Sequence, residues 1–146
     1  MSDQSKQEGL PLGTPGTMAT LLTNRDELLF RQVFPGWIDE EGVLSSQAFR
    51  PSKGDKGKLS IARESLTTAE EAFKYYTTEL CLSSAGTWAV TVGETLDAGL
   101  ESFDEKDERV PAHGFIDFRE LGRNEAERRA KRLLARAKAR GRLFPC

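Results

Sequence analysis

The C-terminal run NEAERRAKRLLARAKARG, residues 124–141, limits the fold of this chain more than any other segment. At about 100° of rotation per helical residue, its small and apolar side chains share one narrow arc that no charged residue enters. The members of this stripe are Ala126, Ala130, Leu133, Leu134, Ala137 and Gly141. Because most of them are small, the helix can approach the rest of the domain closely. The sequence therefore predicts that this helix docks on a sheet by its alanine-rich stripe.

The two ends of this helix carry terminal signals. Asn124 is a good N-cap residue, and Glu125 and Glu127 would lie in the first turn, where acidic side chains interact favourably with the helix dipole. Gly141 stands where a left-handed residue commonly ends a helix, and basic residues gather towards it. We expect the helix to begin at Asn124 and to end at Gly141.

Five upstream segments have the short alternating or fully apolar pattern of β-strands. They are residues 28–34, 42–49, 58–62, 87–94 and 113–118. Between the third and the fourth, Thr68 followed by Glu71 forms a capping-box pattern, and apolar residues recur after it at helical spacing. This order of strands, helix, strands and helix predicts an α+β domain with a mostly antiparallel sheet of about five strands.

The domain organisation follows from length and local composition. A chain of 146 residues has the commonest size for one domain. Residues 1–16 are rich in Gly, Pro, Ser and Gln and have too few large side chains to offset the entropy of ordering, so we expect a flexible tail. Residues 17–146 are predicted to form the single α+β domain, with a short helix or turn within residues 18–27.

Several classes of protein are disfavoured by the same sequence. No apolar run approaches the roughly 20 residues of a membrane span. The N-terminus lacks the basic start and apolar stretch of a secretory signal. The two cysteines, Cys81 and Cys146, are far apart, and nothing in their spacing indicates a disulfide framework or a metal knuckle. We expect a cytoplasmic protein without a membrane partner.

Charge is distributed unevenly along the chain. Residues 123–142 contain nine basic and two acidic residues, a net charge of +7, whereas the whole chain carries −2 and the remainder therefore −9. Acidic residues gather in residues 94–109, which we predict to form an acidic loop. This polarity is the clearest electrostatic feature of the sequence.

The leading functional hypothesis depends on the charged side of the C-terminal helix. Its residues are Arg128, Arg129, Lys131, Arg132, Arg136, Lys138 and Arg140. Fixed positive charge on one face suits an acidic protein or nucleic acid, which would make this chain a small binding or regulatory protein. Two other interpretations stay open: these side chains are simply solvated, or they pair with the body's own carboxylates.

His113 is the only histidine, so any serine–histidine–aspartate set must use it. Ser45 or Ser46 would then be the nucleophile, and Asp117 would orient the imidazole. No nucleophile-elbow motif accompanies these residues. With one histidine and no paired cysteines, a His/Cys zinc site is excluded. We therefore expect no cofactor and interpret His113 as structural.

Arg31 is a cation within an otherwise apolar strand, and a buried arginine must pair or meet an anion. Ser46 lies on the next predicted strand, and Glu94 ends a later one. This order resembles, by analogy, ADP-ribosyltransferase-type domains, which implies that Arg31 holds a phosphate or ribose of NAD and that Glu94 is the catalytic acid or base, with Ser46 on the serine strand. The alternative function is thus an NAD- or nucleotide-dependent transferase. An ion pair between Arg31 and Glu94, or a solvent-facing Arg31, remains the competing interpretation.

Overall fold

The computed structural model describes residues 19–107 and 110–145. Within them, six strands form one antiparallel sheet with the order β1-β5-β6-β3-β2-β4. The strands are β1 Thr20–Leu21, β2 Leu28–Gln32, β3 Lys58–Arg63, β4 Thr87–Thr91, β5 Glu101–Asp104 and β6 His113–Asp117. The α-helices are α1 Ala69–Lys74, α2 Val92–Asp97 and α3 Arg123–Arg140. The predicted α+β class is confirmed, with six strands in place of about five. The predicted tail, residues 1–16, lies outside the described residues.

Helix α3 covers one face of the sheet by the stripe that the sequence predicts. Ala130, Leu133 and Ala137 are fully buried, and Ala126 and Leu134 are partly buried against the same core. Strands β2, β3, β4 and β6 contribute to this core side chains that point to the α3 face of the sheet. These strand residues are Leu29, Leu59, Ile61, Trp88, Val90 and Ile116. The close docking therefore follows from the small volume of the stripe.

The ends of α3 agree with the prediction only in part. The N-cap is Gly122, with an extended backbone, and Asn124 is already the second helical residue. The carbonyl of Gly122 accepts from the backbone N–H of Ala126, so the N-cap lies two residues before Asn124, whose side chain favours capping. Gly141 ends the helix as predicted, with φ of +87°, a conformation that glycine adopts without strain.

Helix α1 packs on the opposite face of the sheet. Phe30 and Ala89 alternate with the residues of the first core and pack with Ala72 of the helix in a second, smaller cluster. The Thr68 hydroxyl accepts from the backbone N–H of Glu71 at 3.1 Å, which confirms the predicted cap. After Lys74 the helix continues as a π-helical turn, Tyr75–Glu79. This wider turn lies over the same face of the sheet as the helix.

Residues 42–49 do not form the predicted strand. Leu44 makes only an isolated bridge with Ile38, and Ser46–Phe49 is a 3-10 helix. Ala48 and Phe49 are adjacent in sequence and are both fully buried in the core under α3. A flat strand would point adjacent side chains to opposite sides, whereas a helical turn allows both to enter one core. Similarly, residues 18–27 contribute strand β1 instead of a helix or turn alone.

The predicted strand over residues 87–94 ends early. Part of the predicted acidic loop, residues 94–109, forms a helix and a strand. The backbone turns helical after Thr91, whose hydroxyl accepts from the N–H of Glu94 at 3.0 Å while the Glu94 carboxylate accepts from the N–H of Thr91 at 2.9 Å. Of residues 94–109, the first part belongs to α2 and the middle part is β5. In β5, the buried residues Ser102 and Asp104 are polar. The sequence of this strand therefore lacks the alternation of apolar and polar residues that predicts a strand.

An ion-pair cluster joins β3, β5 and the turn before β2. Arg63 donates to both carboxylate oxygens of Glu27, at 2.9 and 3.0 Å, and to Asp104 at 2.6 Å. Glu27 and Asp104 are only 5% and 7% exposed, so each needs the positive charge of Arg63. The backbone N–H of Ser65 also donates to Glu27. The cluster fixes three strands at one end of the sheet.

Candidate functional site: a cavity beside Arg31 and the outer face of helix α3

A cavity of about 640 Å³ opens on the α1 face of the sheet and extends into the gap between β2 and β3. Its strand side is made by residues of β2, β3 and β6, and its other side by α1 and the π-helical turn. The residues that matter most below are Phe30, Arg31, Trp37, Ser60, Ala72, Tyr76 and His113. Most of the exposed surface of the lining is apolar, although nine polar or charged residues also line the cavity, among them Arg50, Asp55 and Glu71. This composition and volume are typical of sites for small organic molecules.

Arg31 enters this cavity because the ladder between β2 and β3 is short. Backbone pairing between the two strands covers Leu29 with Arg63 and Phe30 with Ala62. Beyond that point the side chain of Arg31 bridges the strands: its Nε donates to the carbonyl of Ala48 at 2.8 Å, and its Nη1 donates to the carbonyl of Ser60 at 3.0 Å. The guanidinium is thereby fixed in position by two backbone groups.

No carboxylate within residues 19–107 and 110–145 hydrogen bonds to Arg31 or forms an ion pair with it. Burial lowers the pKa of Arg31 below its ordinary value, and Tyr76 and Asp55 act in the opposite direction. The indole ring of Trp37 lies 5.5 Å from the guanidinium carbon, a cation–π contact. Arg31 is thus a partly buried cation that retains donor capacity and has no direct carboxylate partner, although Asp55 lies close enough to interact with its charge.

His113 lies in the same cavity, and its partner is Ser60. The two residues are brought together by the pairing of β3 with β6, in which Ala62 lies opposite His113. The Nε2 atom of His113 is 3.2 Å from the Ser60 hydroxyl, and Nδ1 is 3.2 Å from the backbone carbonyl of Glu105. Asp117, the predicted orienting residue, instead accepts two bonds from the Arg119 side chain. The predicted set of Ser45 or Ser46 with His113 and Asp117 is therefore not assembled.

Arg31, Ser46 and Glu94 do not line one cleft. Only Arg31 is part of the cavity. Ser46 begins the 3-10 helix that packs beneath α3, and Glu94 lies in the first turn of α2. Glu94 is instead bound to Arg140, which donates to both carboxylate oxygens at 2.9 Å. The competing interpretation of an Arg31–Glu94 pair is wrong as well, because each residue has other partners.

Two of the predicted partner-binding residues on α3 are used inside the protein. Arg140 bonds to Glu94 and to the carbonyl of Ala89, so it ties the end of α3 to β4 and α2. Arg129 donates to Glu125 and to the carbonyl of Gly99 at 2.6 Å. Burial by itself would raise the pKa of Glu94, but the hydrogen bonds from Arg140 and from the N–H of Thr91 hold it below its ordinary value. These two arginines stabilise the fold.

The remaining cations of α3 face outward. Arg128 pairs with Glu125, and Lys131 lies 3.9 Å from Glu127. The exposed cations of α3 without an ion pair to a carboxylate in the described part of the chain are Arg123, Arg132, Arg136 and Lys138. The outer face is therefore less basic than the sequence suggests, and its unpaired charge is concentrated in the second half of the helix.

Neither metal-binding groups nor membrane-spanning helices are found among the described residues. In these ranges, three or more His, Cys, Asp or Glu side chains do not gather where they could hold a metal ion. Similarly, within residues 19–107 and 110–145, the helices are too short or too polar to cross a bilayer. Cys81 is an exposed free thiol, and Cys146 lies outside the described residues.

Sequence reasoning identified Arg31 but missed most of its surroundings. Ser60 reads as an ordinary polar position of an alternating strand, and it lies 53 residues before His113. Their meeting depends on the pairing of β3 with β6, which no local pattern announces. The TVGE sequence at residues 91–94 did carry a usable signal, because threonine followed three residues later by glutamate is a capping box.

In comparisons with protein-family models, curated proteins and solved structures, nothing matches this chain.

Proposed function

We propose that this protein is a binding domain for a small organic anion, which it holds in the cavity beside Arg31. The observation that carries the proposal is the state of the guanidinium, which is fixed by two carbonyls and has no carboxylate partner in the described chain. A partly buried arginine that is fixed by carbonyls and has no direct carboxylate partner complements a carboxylate or phosphate oxygen well. A ligand anion would supply the missing charge.

The rest of the cavity defines the body of the ligand. Phe30, Ala72 and Tyr76 present apolar surface, and Trp37 places an aromatic ring beside the guanidinium. The apolar part of the lining therefore suits the body of an apolar or aromatic acid. NAD and other nucleotides, which the alternative transferase hypothesis requires, remain ligands to be tested in the same cavity.

Arg31→Met is the direct test of this proposal. Benzoate, phenyl phosphate and NAD are titrated against the full chain while tryptophan fluorescence is recorded, because Trp37 contacts Arg31. We expect saturable binding of at least one aromatic anion. The substitution should weaken this binding about 10- to 100-fold, the range of a lost charged hydrogen bond.

The matched control is Arg136→Met, which removes an exposed arginine from α3 and leaves the cavity intact. Thermal unfolding of both variants shows whether each is folded. Equal affinity in the wild-type protein and in folded Arg31→Met, or no saturable binding of any of the three probes, would refute the proposal.

A second candidate function, binding of an acidic protein or nucleic acid, is supported by Arg132, Arg136 and Lys138. These three side chains are exposed on one stretch of α3 and lack a carboxylate partner among the described residues. Such a surface attracts polyanions, and the attraction weakens as salt rises. Arg129 and Arg140 no longer belong to the hypothesis, since both stabilise the fold.

Charge reversal separates this candidate from the first one. A variant with Arg132→Glu, Arg136→Glu and Lys138→Glu is compared with the wild-type protein for retention by duplex DNA and by polyglutamate at low salt. We expect retention of one polyanion to be lost in the triple variant and kept in a Lys56→Glu, Lys106→Glu control, whose changes lie in exposed positions away from α3. Unchanged retention in the triple variant would eliminate this surface.

A further inference from the structure

The tautomer of His113 follows from its two hydrogen-bond partners. Its Nδ1 atom faces the backbone carbonyl of Glu105 at 3.2 Å, and a carbonyl can only accept. In the neutral imidazole the proton therefore resides on Nδ1, and Nε2 has a free lone pair. That lone pair faces the Ser60 hydroxyl at 3.2 Å, so Ser60 is the donor. A serine that donates to an unprotonated imidazole is the arrangement of an activated nucleophile and its base.

A third group lies behind the imidazole. The carboxylate of Glu105 is 3.7 Å from Nδ1, and it is itself held by Lys58 at 2.8 Å. On the side of the imidazole away from Ser60, the backbone carbonyl of Glu105 therefore accepts from Nδ1, and the Glu105 carboxylate places a negative charge near the ring. As His113 takes up a proton at Nε2, the nearby carboxylate would stabilise the imidazolium that forms.

Ser60 also connects this pair to Arg31. The guanidinium donates to the backbone carbonyl of Ser60 at 3.0 Å, and His113 contacts the hydroxyl of the same residue at 3.2 Å. Arg31 is therefore fixed beside the backbone of Ser60, and it retains N–H groups beyond the two that are bound to carbonyls. Fixed donors directed at developing charge are the usual means of stabilising a tetrahedral intermediate.

We propose that Ser60 is the nucleophile of an acyl-transfer site in this cavity, with His113 as its general base and Arg31 stabilising the oxyanion. The substrate class is a carboxylic ester with a small apolar or aromatic acyl group, as the lining of the cavity requires. The inference rests on the proposed function, because the carboxylate released at the end is an organic anion of the kind assigned to Arg31.

The steps balance without a cofactor. The Ser60 oxygen bonds to the ester carbonyl carbon, its proton passes to Nε2 of His113, and the carbonyl oxygen becomes an oxyanion beside Arg31. The oxyanion collapses, the bond from the carbonyl carbon to the alkoxy oxygen breaks, and the leaving alcohol takes the proton from Nε2. Water then attacks the acyl-serine and gives its proton to Nε2. Ser60 recovers that proton as it leaves, and the carboxylic acid ionises.

Covalent labelling tests this inference independently of ligand affinity. The full chain is treated with an alkyl fluorophosphonate, which forms a bond from phosphorus to the serine oxygen and releases fluoride, and the modified peptide is identified by mass spectrometry. We expect modification at Ser60. His113→Gln should slow it by about 100-fold or more, the typical contribution of a general base. Ser83→Ala, which changes an exposed serine outside the cavity lining, should leave the rate unchanged.

Parallel measurements distinguish the two proposals. Benzoate binding to Ser60→Ala reports on the anion site alone, and hydrolysis of p-nitrophenyl butyrate by the wild-type protein and Ser60→Ala reports on turnover. Labelling at Ser60 that depends on His113, together with hydrolysis that Ser60→Ala abolishes, supports the inference. Benzoate binding without labelling at Ser60, or labelling whose rate is the same in folded His113→Gln, overturns it and leaves the proposed function intact.

Discussion

Arg31 and Arg63 lie on neighbouring strands and differ in what satisfies them. Arg63 meets two buried carboxylates, those of Glu27 and Asp104, and all three side chains depend on one another. Arg31 meets two backbone carbonyls, and no described carboxylate pairs with it. A residue that stabilises a fold is costly to remove, whereas a residue kept for a ligand is not. The same substitution should therefore cost much more stability at Arg63 than at Arg31.

The predicted contrast can be measured by urea unfolding. Arg63→Met should lower the free energy of unfolding by about 3 kcal/mol or more, because it leaves two buried carboxylates without their cation. Arg31→Met should lower it by less, about 1 to 2 kcal/mol, since only two backbone carbonyls lose a donor. If the larger loss occurred in Arg31→Met, Arg31 would be a structural residue.

The carboxylates paired with arginine also determine the response to acid. Burial alone would raise the pKa of Glu27, but the hydrogen bonds from Arg63 and Ser65 hold it below its ordinary value of 4.5. Glu94 is held low in the same way by Arg140 and Thr91. A carboxyl group whose pKa is lower in the folded state stabilises the fold above its unfolded pKa, and this stability is lost as pH falls through the folded pKa.

We therefore expect the unfolding free energy to be nearly constant from pH 7 to about 5 and to decrease below about 4.5, the unfolded pKa of these glutamates. Thermal unfolding across this pH range measures the effect. In Glu94→Gln the slope below pH 4.5 should be smaller than in the wild-type protein. An unchanged slope would show that Glu94 does not contribute.

Helix α3 is the element that the sequence predicts best, and the reason is its periodicity. The alanine and leucine stripe repeats over five turns, so the buried side can be read without knowing the partner. Residues 42–49 and 92–97 could not be read in this way. In residues 42–49, the adjacent core residues Ala48 and Phe49 give the apolar pattern of a buried strand, although they belong to a 3-10 helix. In the second, the apolar alternation of β4 runs on into Val92, and the capping box of Thr91 and Glu94 marks the change.

The same reasoning predicts the cost of altering the stripe. Leu133 is fully buried, whereas Leu134 is only partly buried on the edge of the stripe. Leu133→Ala should therefore lower the free energy of unfolding by about 3 kcal/mol, and Leu134→Ala by about half as much or less. Chemical unfolding of the two variants provides the comparison. Equal losses would mean that Leu134 is buried as deeply as Leu133, and that α3 docks on the sheet with a different rotation about its axis.

At the scale of the whole molecule, the sheet separates two surfaces. One face is closed by α3, whose exposed cations lie outside the fold, and the other carries α1 and the cavity with Arg31, Ser60 and His113. The charge asymmetry of the sequence is partly internal, because Arg140 and Arg129 face carbonyls and carboxylates of the body. The sequence alone could mark Arg31 as a cation within an apolar strand that must pair or meet an anion. It could not indicate the cavity, which depends on pairing between distant strands.

A nuclear magnetic resonance titration of the labelled full chain with benzoate tests the central claim most directly, because it reports each site separately. The Nε–H group of Arg31 donates to the carbonyl of Ala48, and the indole ring of Trp37 lies beside the guanidinium. The Arg31 Nε–H and the Trp37 indole N–H each give a resonance that can be followed. Both should shift saturably and together, while the backbone resonances of Arg132 and Arg136 on α3 should not. Shifts confined to α3, or the absence of any saturable shift at Arg31, would contradict the assignment of this cavity as an anion-binding site.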